Sequence, residues 1–481
     1  MLPNASVSFA CADPDVQRVY DEAERKCLGN IADFAGDRVL VEGGGYEKIW
    51  LETQPMGGEM YALRDLDVAR NNSLLFMRHQ RADGRIPGSI ENKGGTVEAQ
   101  FNKFQGFCFP LHALNLYYLL GRDQDWLDAL ADCLRRFDAY LWKTRDVSCD
   151  GLLSAFCAYD TGEDNAVRYG DAPGWWTEDA PPEGFQVVPM ASMDITSFSY
   201  AAWDTLERIS RIRGREADAR RCRVRADEIA RNLRARLWNE ARGALFDRDK
   251  HGRPVDVLCH NTLRCMYWGS VSRDMADRFV REHLLNPDEF WTEMPLPSVS
   301  VSDPAFRNAP ENNWSGQSEG LTWQRSLFAL ERYGYESLVT RLGRRFLRAI
   351  IDGGYAFTQQ FDPFTGAPSK VGMYSHAPLS PGDAEPFQDA YGPTLLSALG
   401  FIERLWGVGL RFGEVRYSLC GALPFEARVA WNGHVYQARS DGRRASAVAD
   451  GREVYAGPCG VRVICDENGV PLRTLAIEDD H

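Results

Sequence analysis

Three stretches of the 481-residue chain gather acids, amides and aromatic rings in ways that a hydrophobic core does not need. The first runs Ala158-Tyr-Asp-Thr-Gly-Glu-Asp-Asn-Ala-Val-Arg-Tyr169 and is followed by Gly174-Trp-Trp176. It holds Asp160, Glu163 and Asp164 with Asn165 and Arg168. A carboxyl group pressed among Trp and Tyr loses hydration, which raises its pKa and suits it to donate a proton. The competing reading is a solvated loop with Asx-turn chemistry. The second stretch, Glu311-Asn-Asn-Trp-Ser-Gly-Gln-Ser-Glu-Gly-Leu-Thr-Trp323, leads into a helix expected from Gly316. Its amides (Asn313 among them), with Trp314 and Trp323, would offer a hydroxyl-rich ligand neutral hydrogen bonds around a stacking face. A capping loop with Ser315 as cap and core tryptophans is the alternative. The third is Gln359-Gln-Phe-Asp-Pro-Phe-Thr-Gly366, followed by Gly382-Asp-Ala-Glu385-Pro-Phe-Gln-Asp-Ala-Tyr391. A turn and an acidic helix cap would explain Asp383 more readily than Glu385.

The elements that must position these loops are overwhelmingly helical as far as about residue 407. Amphipathic periodicity marks helices over 13–34, 59–80, 105–120, 123–143, 194–213, 215–240, 260–285, 316–333, 335–351 and 386–405. Asp83-Gly84, Asp150-Gly151 and Asp352-Gly353 each close a long helix and open an aromatic-rich loop. Glycine accepts the positive φ of such a turn without steric cost. Recurrence of one device after successive helical hairpins points to a mainly α fold, an (α/α)6 barrel or toroid over 1–408 with its loops on one face. Gly43-Gly-Gly45 reads as a flexible lead into the loop of Trp50. Beyond Gly407, segments such as Ala427-Arg-Val-Ala-Trp431 and Val461-Arg-Val-Ile-Cys465 alternate at strand period, and Asn432-Gly433 signals a hairpin turn. A small β-sandwich-like domain is expected over 409–481, packed against the helices.

Several function classes are poorly supported. With 55 Lys and Arg against 68 Asp and Glu the formal charge is −13, which repels nucleic-acid phosphates. Neither a signal peptide nor an apolar run long enough to span a bilayer is apparent. The twelve cysteines form no C-x-x-C pair or zinc-spaced cluster, so the expectation is reduced thiols in a cytoplasmic protein with no metal or organic cofactor. There is no G-x-S-x-G elbow, H-E-x-x-H helix, phosphate-binding Gly-Lys-Thr loop or Rossmann turn. His79, His112 and His260 fall in helices and read as packed side chains.

The same segments, in the same order, resemble the helical-toroid glycoside hydrolases that include trehalase, processing α-glucosidase I and mannosylglycerate hydrolase. Thr161-Gly-Glu-Asp164-Asn-Ala-Val-Arg168-Tyr169 is similar to that group's acid-bearing loop. The resemblance implies a catalytic acid at Asp164 and a sugar-contacting Arg168. Met193-Asp-Ile-Thr-Ser197, Pro297 to Phe306 with Asn313-Trp314-Ser-Gly316, and Glu385-Pro-Phe-Gln-Asp-Ala-Tyr391 resemble later motifs of the group. Two departures stand out. Ser315 and Gln317 replace an Arg and a Pro, and Gln359 occupies the position of the group's catalytic Glu. An amide cannot take a proton from water, so the base falls to Glu385 or, failing that, Glu319. The expected activity is exo-acting hydrolysis of a small glycoside or oligosaccharide with inversion. Trp314, Trp323, Gln105, Gln359, Arg168, Asp160, Asn313 and Trp50 would hold the sugar. A lyase or epimerase on the same toroid, using His376 or His260, and a sugar-binding protein without turnover are the alternatives.

Overall fold

The computed structural model describes residues 2–311, 314–380 and 382–478. Twelve α-helices occur among the described residues: α1 (Pro14–Gly29), α2 (Gln54–Tyr61), α3 (Leu66–Arg78), α4 (Pro110–Leu119), α5 (Gln124–Thr144) and α6 (Met193–Ile212), then α7 (Glu216–Leu237), α8 (Asn261–Trp268), α9 (Arg273–Phe279), α10 (Gly320–Arg332), α11 (Glu336–Asp352) and α12 (Gly392–Trp406). Caps explain many of the boundaries. Asp13, Asp65, Asp123, Ser192 and Ser272 each accept backbone N–H groups of the first turn that follows. The Asp65 cap divides the single helix expected over 59–80 into α2 and α3. Gly269, at φ 91°, ends α8 and so breaks the helix expected over 260–285.

Helix packing follows a regular order. α2 packs on α4, α4 on α6, α6 on α8, α8 on α10, α10 on α12, and α12 on α2. α3 packs on α2, α5 on α4 and α6, α7 on α6, α9 on α8, α11 on α10 and α12, and α1 on α11 and α12. No helix among the described residues is long and apolar enough to cross a membrane.

Two antiparallel sheets follow the helices. One carries Val408–Arg411, Glu414–Leu419, Val461–Asp466 and Pro471–Ala476 in spatial order. The other is ordered Ala5–Cys11, Pro424–Trp431, His434–Asp441, Arg444–Ala449 and Arg452–Pro458. The N-terminal strand thus crosses the boundary placed at 408, pairing Ala5 with Trp431 and Cys11 with Phe425. Phe425, Ala427, Val429 and Trp431 are buried at alternate positions, giving the sheet its inner face. Asn432 and Gly433, at φ 51° and 86°, form the expected tight turn.

The sheets are tied to the helices by polar contacts as well as packing. Trp431 Nε1 donates to Leu119 O at 2.9 Å. Glu331 of α10 receives Arg462 Nη1 at 2.6 Å and Arg404 Nε at 3.0 Å. Burial alone would raise the Glu331 pKa, but Arg404, Arg462 and Arg416 hold it far below the usual range. Removing one partner of a buried ion pair strands the others in low dielectric. Glu331→Gln is therefore expected to cost about 3–5 kcal/mol, read as a lowered urea midpoint. An unchanged midpoint would contradict this account of the junction.

Candidate active site

The acid-bearing loop is anchored from beneath. Asp160 is fully buried, pairs with Arg145 Nη1 at 2.6 Å, and accepts the N–H groups of Phe104 and Phe156 at 3.1 and 2.9 Å. Gln105 N and Gly106 N donate to Tyr159 O and Asp160 O, both at 3.0 Å, which lays residues 104–106 along the loop. Gly162, at φ 77°, is required there: a Cβ would overlap the Glu52 carboxylate. Asn165 ties the loop to the second stretch, since its Oδ1 accepts from Trp314 N at 2.8 Å and its carbonyl from Ser315 Oγ at 2.9 Å. Ser315 therefore binds the acid loop instead of capping a helix. The helix expected from Gly316 starts at Gly320, because Ser318 and Glu319 are extended and pair with Phe361 and Gln360.

This pairing brings two of the three sequence segments together. Asp164 stands partly exposed, with Gln105 Nε2 at 3.4 Å from its Oδ1 and 3.2 Å from Glu52 Oε1. Glu319 is fully buried, and neither of its oxygens has a hydrogen-bond partner among the described residues. Burial, and then the charges of Asp164, Glu52 and Glu163, push its pKa well above the usual carboxylate range. Glu52 is raised by burial to about 7, against the pull of Arg325, whose Nη2 lies 3.0 Å from Oε2. Glu42 is also pushed well up by burial and by Glu52, with Tyr391 donating to its Oε1 at 3.1 Å. Gln359 accepts from Tyr46 Oη at 3.1 Å, and its carbonyl receives Gly320 N at 2.7 Å, so it borders Glu319. Lys103 Nζ sits 5.0 Å from the Trp50 ring and 5.0 Å from the Tyr159 ring. Asp164 is the leading influence that offsets the effect of burial on this ammonium.

Acids raised by burial bind protons more tightly in the folded chain than in the unfolded one. Stability from Glu319, Glu42 and Glu52 is therefore full below the unfolded pKa near 4.5 and is lost as pH rises through the folded values, about 7 for Glu52. The unfolding temperature is expected to fall between pH 5 and pH 8, and to fall less in Glu319→Gln. An equal slope in both proteins would contradict the assigned burial.

Several expected site residues lie elsewhere. Glu385 turns onto its own hairpin, accepting from Tyr374 N at 2.7 Å and Ser375 N at 2.8 Å. Those two donors lower its pKa, the environment of a capping carboxylate; it is neither desolvated nor beside Asp164. Arg168 is buried beneath the loop, with its Nη atoms paired to Glu163, Asp247 and, at 2.9 Å, Asp194, so its charge is engaged within the loop. Asp160 is spent on Arg145 and backbone donors. Trp323 lies in the core, 5.1 Å from Phe346 and 5.9 Å from Phe401. Trp314 is buried with its ring edge-on to His260 at 5.9 Å. Trp50, Gln105 and Gln359 do reach the cluster, while Asn313 lies outside the described residues.

Sequence reasoning missed Glu42, Glu52, Tyr46, Lys103 and Arg325. The one local signal was the glycine run between Glu42 and Tyr46. It is a close-packed crossing and not a flexible lead: Gly43, Gly44 and Gly45 have φ of 74°, 63° and 93°, and a Cβ on Gly43 would meet Ala390 O and Asn30.

The site sits in a sequence that matches a known family. The model of the mannosylglycerate hydrolase MGH1-like glycoside hydrolase domain covers residues 57–377. Among solved structures, the chain is similar to the GH63 mannosylglycerate hydrolase of Thermus thermophilus in complex with glucose, at 17% identity and TM-score 0.62. That match covers 80% of this chain and 99% of that one. Neutral trehalase from Saccharomyces cerevisiae matches at 14% identity and TM-score 0.54, over 77% of this chain and 74% of that chain. An α-L-rhamnosidase from Dictyoglumus thermophilum matches at 12% identity and TM-score 0.57, over 94% and 45%. At these identities the structures speak for the fold, whereas the family model spans most of the chain. The protein belongs to the mannosylglycerate hydrolase MGH1-like glycoside hydrolase domain family and is a glycosidase.

Proposed function

We propose that the protein is an exo-acting glycosidase that hydrolyses a small glycoside with inversion, using Asp164 as acid and Glu319 as base. The observation that carries this reading is Glu319: a fully buried carboxylate with no hydrogen-bond partner among the described residues, within electrostatic reach of Asp164. Such a group costs stability unless a ligand or water completes it, and such costs concentrate at functional sites. Asp164 would give its proton to the glycosidic oxygen as the bond to C1 breaks. Glu319, ionised, would take a proton from water as the water oxygen bonds C1 from the opposite face. The products are a sugar of inverted configuration and the free alcohol, and the proton then passes from Glu319 back to Asp164.

The fold reading is an (α/α)6 toroid whose inner ring is α2, α4, α6, α8, α10 and α12. The run of contacts from α2 through α12 and back to α2 supports it. For substrate, we infer a sugar joined to a small carboxylate-bearing group, by analogy with the mannosylglycerate named for the Thermus relative. Lys103, between two aromatic rings and near Asp164, supports an anionic leaving group there. All twelve cysteines are unbridged, which supports a reducing compartment, read as the cytoplasm.

A base whose pKa is raised must lose its proton before it can act. Since the charge of Asp164 helps to raise Glu319, the productive form, with the proton on Asp164 and Glu319 ionised, is one arrangement of a singly protonated pair. The profile of kcat/KM against pH is accordingly expected to be bell-shaped, with its alkaline limb above the ordinary carboxylate range, where the pair loses its last proton. The test of the reading is NMR of the first anomer released from mannosylglycerate and from aryl glycosides. Inverted product is expected, and retained configuration would overturn the mechanism.

A further inference from the structure

Glu163 precedes Asp164 in the chain but points the opposite way: Asp164 is partly exposed and Glu163 is fully buried. Its Oε1 meets His260 Nε2 at 2.9 Å and Arg264 Nη1 at 3.0 Å, and its Oε2 pairs with Arg168. Burial would raise the Glu163 pKa, yet Arg168 and Arg264 hold it well below the usual range, so it is a fixed anion. Arg264 also donates from Nη2 to Thr161 O at 2.5 Å, gripping the loop backbone two residues before Glu163.

His260 extends this grip across the site. Burial lowers its pKa, so the ring is neutral and carries one proton. Glu163 can only accept, which places the proton on Nε2 and leaves Nδ1 to accept from Thr322 Oγ1 at 3.3 Å. Thr322 lies on α10, three residues after Glu319. One imidazole therefore connects the loop of Asp164 to the helix start that follows Glu319.

We propose that Glu163 and His260 are positioning residues that hold the Asp164 carboxyl in donor geometry relative to Glu319, an inference that rests on those two being acid and base. Neither touches the reacting atoms; they act through the loop backbone and through α10. Misplacing a catalytic group by about 1 Å can cost about 100-fold in rate. Loss of donor geometry harms leaving groups that need protonation and largely spares those that do not.

The test compares phenyl with 2,4-dinitrophenyl glycosides of mannose, glucose and rhamnose in both anomers, using whichever sugar is turned over. Glu163→Gln, His260→Gln and Thr322→Val are each expected to lower kcat about 10- to 100-fold on the phenyl glycoside and less than about threefold on the 2,4-dinitrophenyl glycoside. KM should stay within about twofold. Thr322→Val removes one hydroxyl at the far end of the link and serves if a charged-network variant fails to fold. Equal losses on both substrates would mean a merely structural role and overturn the inference, as would wild-type rates in all three. Asp164→Asn separates the two levels. Should it show the leaving-group dependence while the other three do not, positioning alone fails; should it show none, the acid assignment fails and the inference with it.

Discussion

Asp164→Asn is expected to lower kcat/KM on a phenyl glycoside by about 10²–10⁴-fold, the usual contribution of a positioned general acid. The substitution is nearly isosteric, and the amide can still meet Gln105 Nε2, which lies 3.4 Å from Oδ1 in the native chain. An amide has no proton to give to a departing oxygen at neutral pH, so the loss should fall on kcat. Because Asp164 is partly exposed and stands above the Asp160 and Glu163 anchors, the unfolding temperature should barely move. On a 2,4-dinitrophenyl glycoside, whose leaving group departs without protonation, most of the activity should return. Near-wild-type turnover on the phenyl substrate would remove Asp164 from the mechanism.

How far the site could be read from sequence depended on whether a residue's role is local. The acid loop was legible because its acids, Asn165 and Arg168 lie within one short stretch and its order relative to later segments is distinctive. The direction in which each side chain points was not. Asp160, Glu163 and Arg168 turn inward and carry the loop, while Asp164 turns outward, and no periodicity governs an irregular loop. A helix beginning at Gly316 would leave Trp323 as a stacking platform. Once Ser318 and Glu319 are extended, α10 starts at Gly320 and Trp323 turns to Phe346. Glu385 sat in a family-like motif, but the hairpin around it closes its carboxylate onto Tyr374 and Ser375. Glu42, next to the glycine run, and Glu52 are isolated acids, and only the fold brings both within reach of Asp164 and Glu52 within reach of Glu319. The strand Ala5–Cys11 escaped for a similar reason: its partner, Pro424–Trp431, lies at the far end of the chain.

Glu319→Gln offers the sharpest separation between function and stability. Rate should fall by about 10²–10⁴-fold, because an amide cannot take the proton of the attacking water. The folded protein, by contrast, should become more resistant to heat at pH 8. The wild-type carboxylate is fully buried, has no hydrogen-bond partner among the described residues, and lies under the repulsion of Asp164, Glu52 and Glu163. Ionising it there costs free energy that a neutral amide does not incur. A small anionic nucleophile such as azide needs no base, so it should restore turnover to Glu319→Gln and not to Asp164→Asn on the phenyl substrate. If Glu319→Gln lost stability along with activity, the carboxylate would be a structural anchor, and the base would have to be sought at Glu42 or Glu52. If it kept full activity and gained stability, the buried charge would have no part in the reaction. Only the combination of a slower and sturdier enzyme, rescued by azide, matches a base held ready in a site that leaves it unsatisfied.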